Sequence, residues 1–109
     1  MLEEVGFMDS KVFYSPIALR DINRVWEDVF EASKNPDIAS KYVEELLEKI
    51  DNKKEFPKSG APFYYGDLFT GYYFVAFKAY IAFYRVDDDT IYVDRVLLGK
   101  SNYLSSLVF

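Results

Sequence analysis

The chain contains no cysteine and no histidine in its 109 residues. Without cysteine there are no disulfides, no thiolate nucleophiles and no cysteine-based metal sites. Without histidine the commonest general base and the commonest metal ligand are missing, so any acid–base chemistry would rest on Asp, Glu, Lys or Tyr. Positive charge is also short: 13 Lys and Arg stand against 18 Asp and Glu, a formal net charge of -5. Broad binding to a phosphate backbone needs the opposite sign. No run approaches the roughly 18 apolar residues of a membrane span, and the opening "MLEEVGFMDSK" is too acidic and too poor in apolar residues for a signal peptide. The default expectation is a cytoplasmic protein.

What the chain has in quantity is apolar and aromatic surface, 50% and 19% of residues. At this length it is expected to form one domain with a hydrophobic core. Residues 1–10 read as a leader and 11–109 as the domain. Lys11 to Tyr14 reads as a short strand that runs into a helix start. Ser15 is a good cap, and Pro16 stands at the first helical position, where its missing N–H costs nothing. Ala18, Ile22, Val25, Trp26, Val29 and Phe30 then recur at three- and four-residue steps and mark a buried face. Arg20, Asp21, Arg24, Glu27 and Asp28 are expected on the solvated side. The device repeats at Asn35–Pro36, which ends the first helix and opens a second, whose stripe is Ala39, Tyr42, Val43, Leu46, Leu47 and Ile50.

Residues 51–70 carry Pro57, Gly60, Pro62 and Gly66 and read as loop with a brief turn or strand. Three strands follow at about Gly71–Phe77, Tyr80–Val86 and Thr90–Leu97, the last two joined by an aspartate turn at 87–89. The predicted fold is α+β, a helical hairpin on a small, curled, mostly antiparallel four-stranded sheet in the order β-α-α-β-β-β. In Tyr80–Val86, Ile81 and Phe83 are expected to face the helices. Tyr80, Ala82 and Tyr84 are then expected on the opposite, concave face. Two readings of Tyr72, Tyr73, Tyr80 and Tyr84 stand side by side: packing in the sheet, or a surface that another chain covers, which suits a ring with one wet end.

Several stretches taken together resemble the RelE/ParE toxin superfamily of bacterial type II toxin–antitoxin systems. They are "VFYSPIALRDINRVWEDV", the loop "FPKSGAP", the hairpin "YIAFYRVDDDTIYVDRVLLGK" and the closing "NYL". The Ser-Pro helix start, the Pro-x-x-Gly loop and "FYRV" are closer to the ParE branch. The resemblance implies the fold just derived, no cofactor, and a cognate antitoxin as partner. For the ParE branch it implies DNA gyrase as target, with plasmid stabilisation and growth inhibition as the outcome. For the RelE branch it implies a translating ribosome, where messenger RNA is cut by basic residues gathered around the scissile phosphate.

Carried across residue by residue, the nuclease pattern is not matched. The strand position that is arginine in the nucleases falls at Tyr73 to Ala76, the basic position after "GK" is Ser101, and the usual histidine is Leu98. Losing one transition-state donor typically costs about 3 kcal/mol. The alternative site reading assembles what cations remain, Arg85 and Lys100, with Tyr103. Lys78 and the loop lysines Lys53, Lys54 and Lys58 read as solvated charges, and Arg85 and Arg95 as ion-pair partners of acids such as Asp94 or Asp87. The preferred binding set is Tyr72, Tyr73, Tyr80, Tyr84 and Arg95. An acidic toxin is expected to hold its antitoxin more by apolar burial than by charge steering.

Overall fold

The computed structural model describes residues 12–99. The elements are β1 (Val12–Tyr14), α1 (Pro16–Ser33), α2 (Pro36–Asp51), two 3-10 turns (Asn52–Glu55 and Pro57–Ser59), β2 (Ala61–Tyr65), β3 (Leu68–Phe77), β4 (Tyr80–Asp87) and β5 (Thr90–Leu98). Both helices start where the capping pairs predict. The Ser15 hydroxyl accepts from the Ala18 N–H at 2.9 Å and donates to the Asp94 carbonyl at 3.0 Å, so one side chain caps α1 and ties it to β5. The Asn35 side chain accepts from the Asp37 and Ile38 N–H groups at the head of α2. Between the helices Lys34 takes a left-handed conformation, φ 56, and its N–H closes on the Phe30 carbonyl. That turns the chain back and leaves the helices antiparallel neighbours.

The sheet has five strands in the order β1-β5-β4-β3-β2. β1 runs parallel to β5, and every other pairing is antiparallel. The fifth strand is β2, in a segment whose prolines and glycines favour a loop reading. It tolerates Pro62 because β2 is an edge strand, where a missing N–H breaks no ladder on the outer side. Gly66, φ 63, makes the tight turn into β3.

Two irregularities aim side chains. The pairing of β2 with β3 shifts register between Pro62 and Tyr64, opposite a stretch of β3 that contains Gly71 at φ 90. In the β4–β5 ladder Phe83 pairs with Arg95 and Tyr84 with Val93, so Asp94 is the extra residue of a bulge.

One core joins the helices to one face of the sheet. Ala18, Ile22, Val25, Leu46 and Ile50 pack there on Val75, Tyr80, Ala82, Tyr84, Ile91, Val93 and Val96. The β4 face assignment made from the sequence is therefore inverted. Tyr80, Ala82 and Tyr84 face the helices, while Phe83 turns away, closed over by Phe63 and Phe74 at ring separations of 5.4 and 6.1 Å. Period-two alternation gives two faces but not which one is covered. The decision lies with the hydroxyls, because each of these two tyrosines finds a partner on the helix side.

Candidate functional site

Tyr84 is fully buried. Its hydroxyl donates to the Pro57 carbonyl at 2.7 Å and accepts from the Gly60 N–H at 3.1 Å. A β-carbon on Gly60 would overlap that hydroxyl, so the glycine is there for close approach. Tyr80 is also in the core and donates to an Asp28 carboxylate oxygen at 3.1 Å. Tyr73 stacks on Tyr84 with ring centroids 5.8 Å apart. Three of the four tyrosines of the predicted binding set thus pack on the helix side of the sheet.

Tyr72 points to the other face and donates to Asp94 Oδ2 at 2.9 Å. The same carboxylate receives Arg85, whose Nε lies 2.7 Å from Oδ2 and whose Nη2 lies 3.4 Å from Oδ1. The Arg85 guanidinium sits 5.2 Å from the Tyr92 ring, and Phe13, more than half exposed, stacks on Tyr92 from the edge strand. The bulge at Asp94 makes this cluster possible. Burial, with Asp94 as hydrogen-bond acceptor and negative neighbour, pushes the Tyr72 phenol up from 10.0 to about 12. The Asp94 hydrogen bond also raises Arg85, which stays charged throughout. At neutral pH Tyr72 is a neutral donor and cannot serve as a base.

Arg95 does not join Arg85. It reaches α1, where its Nε lies 2.8 Å from Asp21 Oδ2. The same oxygen accepts the Val96 N–H at 2.9 Å, on the stretch of β5 beyond the end of β1. Asp21 therefore does not stand on the solvated side of the first helix, as expected from its polar pattern, whereas Asp28 stays exposed there and still meets the Tyr80 hydroxyl. The two lie seven residues apart, close to two helical turns, so both can reach from α1 to the sheet. Of the lysines, Lys78 holds the β3–β4 turn at φ 54 over the Tyr42 ring, 4.9 Å from its centre and 3.7 Å from Glu45. Lys54 pairs with Asp51 at 3.1 Å. Lys100 and Tyr103, the other members of the alternative catalytic set, lie outside the described residues. Among the described residues no three His, Cys, Asp or Glu side chains gather as a metal site.

The chemistry of this face follows from its pairs. A site for phosphoryl chemistry needs cations free to meet developing negative charge. Here Arg85 is bound by Asp94 and Arg95 by Asp21. The strand positions Tyr73 to Ala76 supply two rings and two aliphatic side chains instead. What the sheet presents is aromatic surface with internally balanced charge.

Comparison with known proteins identifies the family and the fold. Residues 12–103 match the family described as ParE toxin of type II toxin–antitoxin system, parDE. The chain belongs to that family. No curated protein sequence matches it. Among solved structures it is similar to the chromosomal ParDE toxin–antitoxin system from P. aeruginosa, with TM-score 0.65 and 18% identity over 81% of this chain and 94% of that one. The RelBE2 toxin–antitoxin complex from Mycobacterium tuberculosis follows at TM-score 0.53 and 22% identity, covering 81% and 95% of the two chains. The isolated E. coli RelE toxin aligns at TM-score 0.51 and 17% identity, over 89% and 93%. These likenesses establish the fold of the RelE/ParE toxins. The ParE family membership rests on the match across nearly the whole domain.

Proposed function

We propose that this ParE-family toxin acts by gripping another macromolecule, that its target is DNA gyrase, and that a cognate antitoxin neutralises it in the cytoplasm. The observation that carries the binding reading is the state of the two sheet arginines, each tied to a carboxylate rather than held ready for developing negative charge. Gyrase is the target that the resemblance to the ParE branch implies. The antitoxin is supported by the solved relatives, which include ParDE and RelBE complexes. Such a partner is expected to be partly disordered and to lay an amphipathic segment on the toxin. On the sheet, the surface offered is the outer cluster of Phe13, Tyr72, Arg85 and Tyr92, while Tyr80 and Tyr84 contribute through the core. No described helix is long and apolar enough to cross a membrane.

The experiment is inhibition of gyrase supercoiling by the purified protein, with direct binding to each gyrase subunit measured beside it. Loss of supercoiling at stoichiometric toxin is the expected result. If both subunits fail to bind and supercoiling is untouched, gyrase is not the target. Messenger cleavage on translating ribosomes, abolished by Tyr103→Phe or Lys100→Ala, would replace the binding reading with the nuclease one.

A further inference from the structure

Away from the sheet face, the two 3-10 turns and the β4–β5 turn enclose an open cleft of about 640 Å3. That lies within the roughly 300–1,000 Å3 of ligand-binding clefts. Phe56, Pro57 and Val86 form its apolar lining, and Glu55, Asp88 and Asp89 stand against a single cation, Lys58. None of these three carboxylates has an ion-pair partner among the described residues. Phe56 is 71% exposed, the most exposed large apolar side chain in the described chain.

The cleft is held in shape from beneath. Tyr84 rises from the core and fixes the second 3-10 turn at both ends, through the Pro57 carbonyl and the Gly60 N–H. On the opposite wall Asp88 holds the left-handed position of the β4–β5 turn, φ 58. An exposed ring on a braced loop, facing unpaired carboxylates, has the chemistry of a pocket for an aliphatic stem with a cationic end. Nucleic acid would be repelled by the same carboxylates.

We propose that this cleft receives a basic, apolar-flanked segment of the antitoxin, seating an Arg or Lys side chain with its stem on Phe56 and its charge between Glu55 and the Asp88–Asp89 turn. The inference rests on the antitoxin reading above and adds to it a local charge contribution that the acidic composition alone argues against. It also gives Tyr84 a positioning role, since its hydroxyl sets the loop that carries Phe56.

The test titrates the 15N-labelled full chain with the peptide acetyl-Leu-Arg-Leu-Lys-amide and with its twin acetyl-Leu-Glu-Leu-Glu-amide, read by amide chemical shifts. Saturable shifts at residues 55–59 and 86–89 are expected from the basic peptide alone. The Asp88→Asn, Asp89→Asn double variant should weaken binding about tenfold, and Phe56→Ala should weaken it without changing the melting temperature. Asparagine keeps the left-handed turn, so a loss of binding cannot be blamed on the turn. Equal binding by the double variant, shifts elsewhere, or shifts at these amides from an RNA oligonucleotide instead would overturn the proposal. A parallel growth assay uses the product of the reading frame beside the gene. Equal rescue of wild-type and double-variant toxin overturns the cleft and leaves the antitoxin reading standing. A neighbour product that binds neither form removes the antitoxin itself as occupant.

Discussion

The two faces of the sheet are drawn from the same aromatic strands and treat their polar groups in opposite ways. On the helix face the hydroxyls of Tyr80 and Tyr84 are given fixed partners. Tyr80 meets Asp28 on α1, and Tyr84 meets the backbone of the second 3-10 turn. On the outer face Arg85 is matched to Asp94 beside the surface, under the aromatic cover of Tyr92. The difference gives the two faces different physical characters. Buried hydroxyls with fixed partners specify one packing of helix and loop on sheet. A surface ion pair among rings specifies little internally, because solvent already satisfies much of it. It leaves a preformed apolar shelf with its charge cancelled, which suits binding rather than bond cleavage.

If the helix face is the structural one, substitutions there carry the large effects. Tyr84→Ala removes a fully buried ring and strands the Gly60 N–H, and is expected to cost about 3–5 kcal/mol, seen as a large drop in the denaturant midpoint. Tyr84→Phe keeps the ring and loses only the hydroxyl bonds, for about 1–2 kcal/mol. A Tyr84→Ala protein as stable as wild type would mean that the two faces do not differ as described.

The next effect lies at the border of α1 and β5. Asp21→Ala leaves the largely buried Arg95 without this carboxylate and the Val96 N–H without an acceptor, with an expected loss of about 2–3 kcal/mol by chemical denaturation. Arg95→Met combined with Asp21→Ala should cost less than the sum of the two single changes, as coupled pairs do. Strict additivity would show that the pair contributes nothing.

Alkaline titration tests both faces together. Burial is the first cause that pushes Tyr14, Tyr72 and Tyr80 up from 10.0 to about 12, and it also raises Tyr84. A phenol whose folded-state value is raised stabilises the fold fully below its unfolded value near 10. That contribution is lost as pH climbs toward about 12. Stability is therefore expected to be flat across neutral pH and to fall between about pH 10 and 12, with phenolate absorbance appearing together with unfolding. Phenolate signal for all ten tyrosines at pH 10, with the fold intact, would contradict the burial described here.

How much of this was legible in the sequence depended on whether the signal was local. Ser15–Pro16 and Asn35–Pro36 are short-range devices, and both helices begin there. The aspartate turn and three of the strands were equally local. β2 was legible only as one option, a brief turn or strand within a loop, because Pro62 and the flanking glycines mark a loop as readily as an edge strand. The inverted faces of β4, the inward reach of Asp21 and the Asp28–Tyr80 bond were not legible, because each depends on a partner many residues away. Asp21 meets Val96 and Asp28 meets Tyr80, and nothing near either aspartate in the chain announces it. The Arg85–Asp94 pair was anticipated as one of two options, since the strands are joined by a short turn. The bulge at Asp94, which no composition signals, settles the choice.

The smallest stability change belongs to Arg85, and for that reason it divides the functional readings most cleanly. Its side chain is 48% exposed and pairs with a carboxylate near the surface, so Arg85→Gln should alter stability by less than about 1 kcal/mol. In a nuclease built on this sheet, removing the guanidinium would strip a transition-state contact and lower cleavage by orders of magnitude in a protein that melts normally. In a binding toxin the same change only leaves Asp94 with the Tyr72 hydroxyl as donor and thins the shelf beside Tyr92. Growth arrest should then persist, with affinity for the target weakened a fewfold. Tyr92→Ala and Phe13→Ala, which remove apolar area from that shelf, should weaken the target more than Arg85→Gln does, because burial rather than charge holds the partner there. The reverse order, with Arg85 dominant and the rings dispensable, would make the outer face a site for an anion and undo the contrast between the two faces.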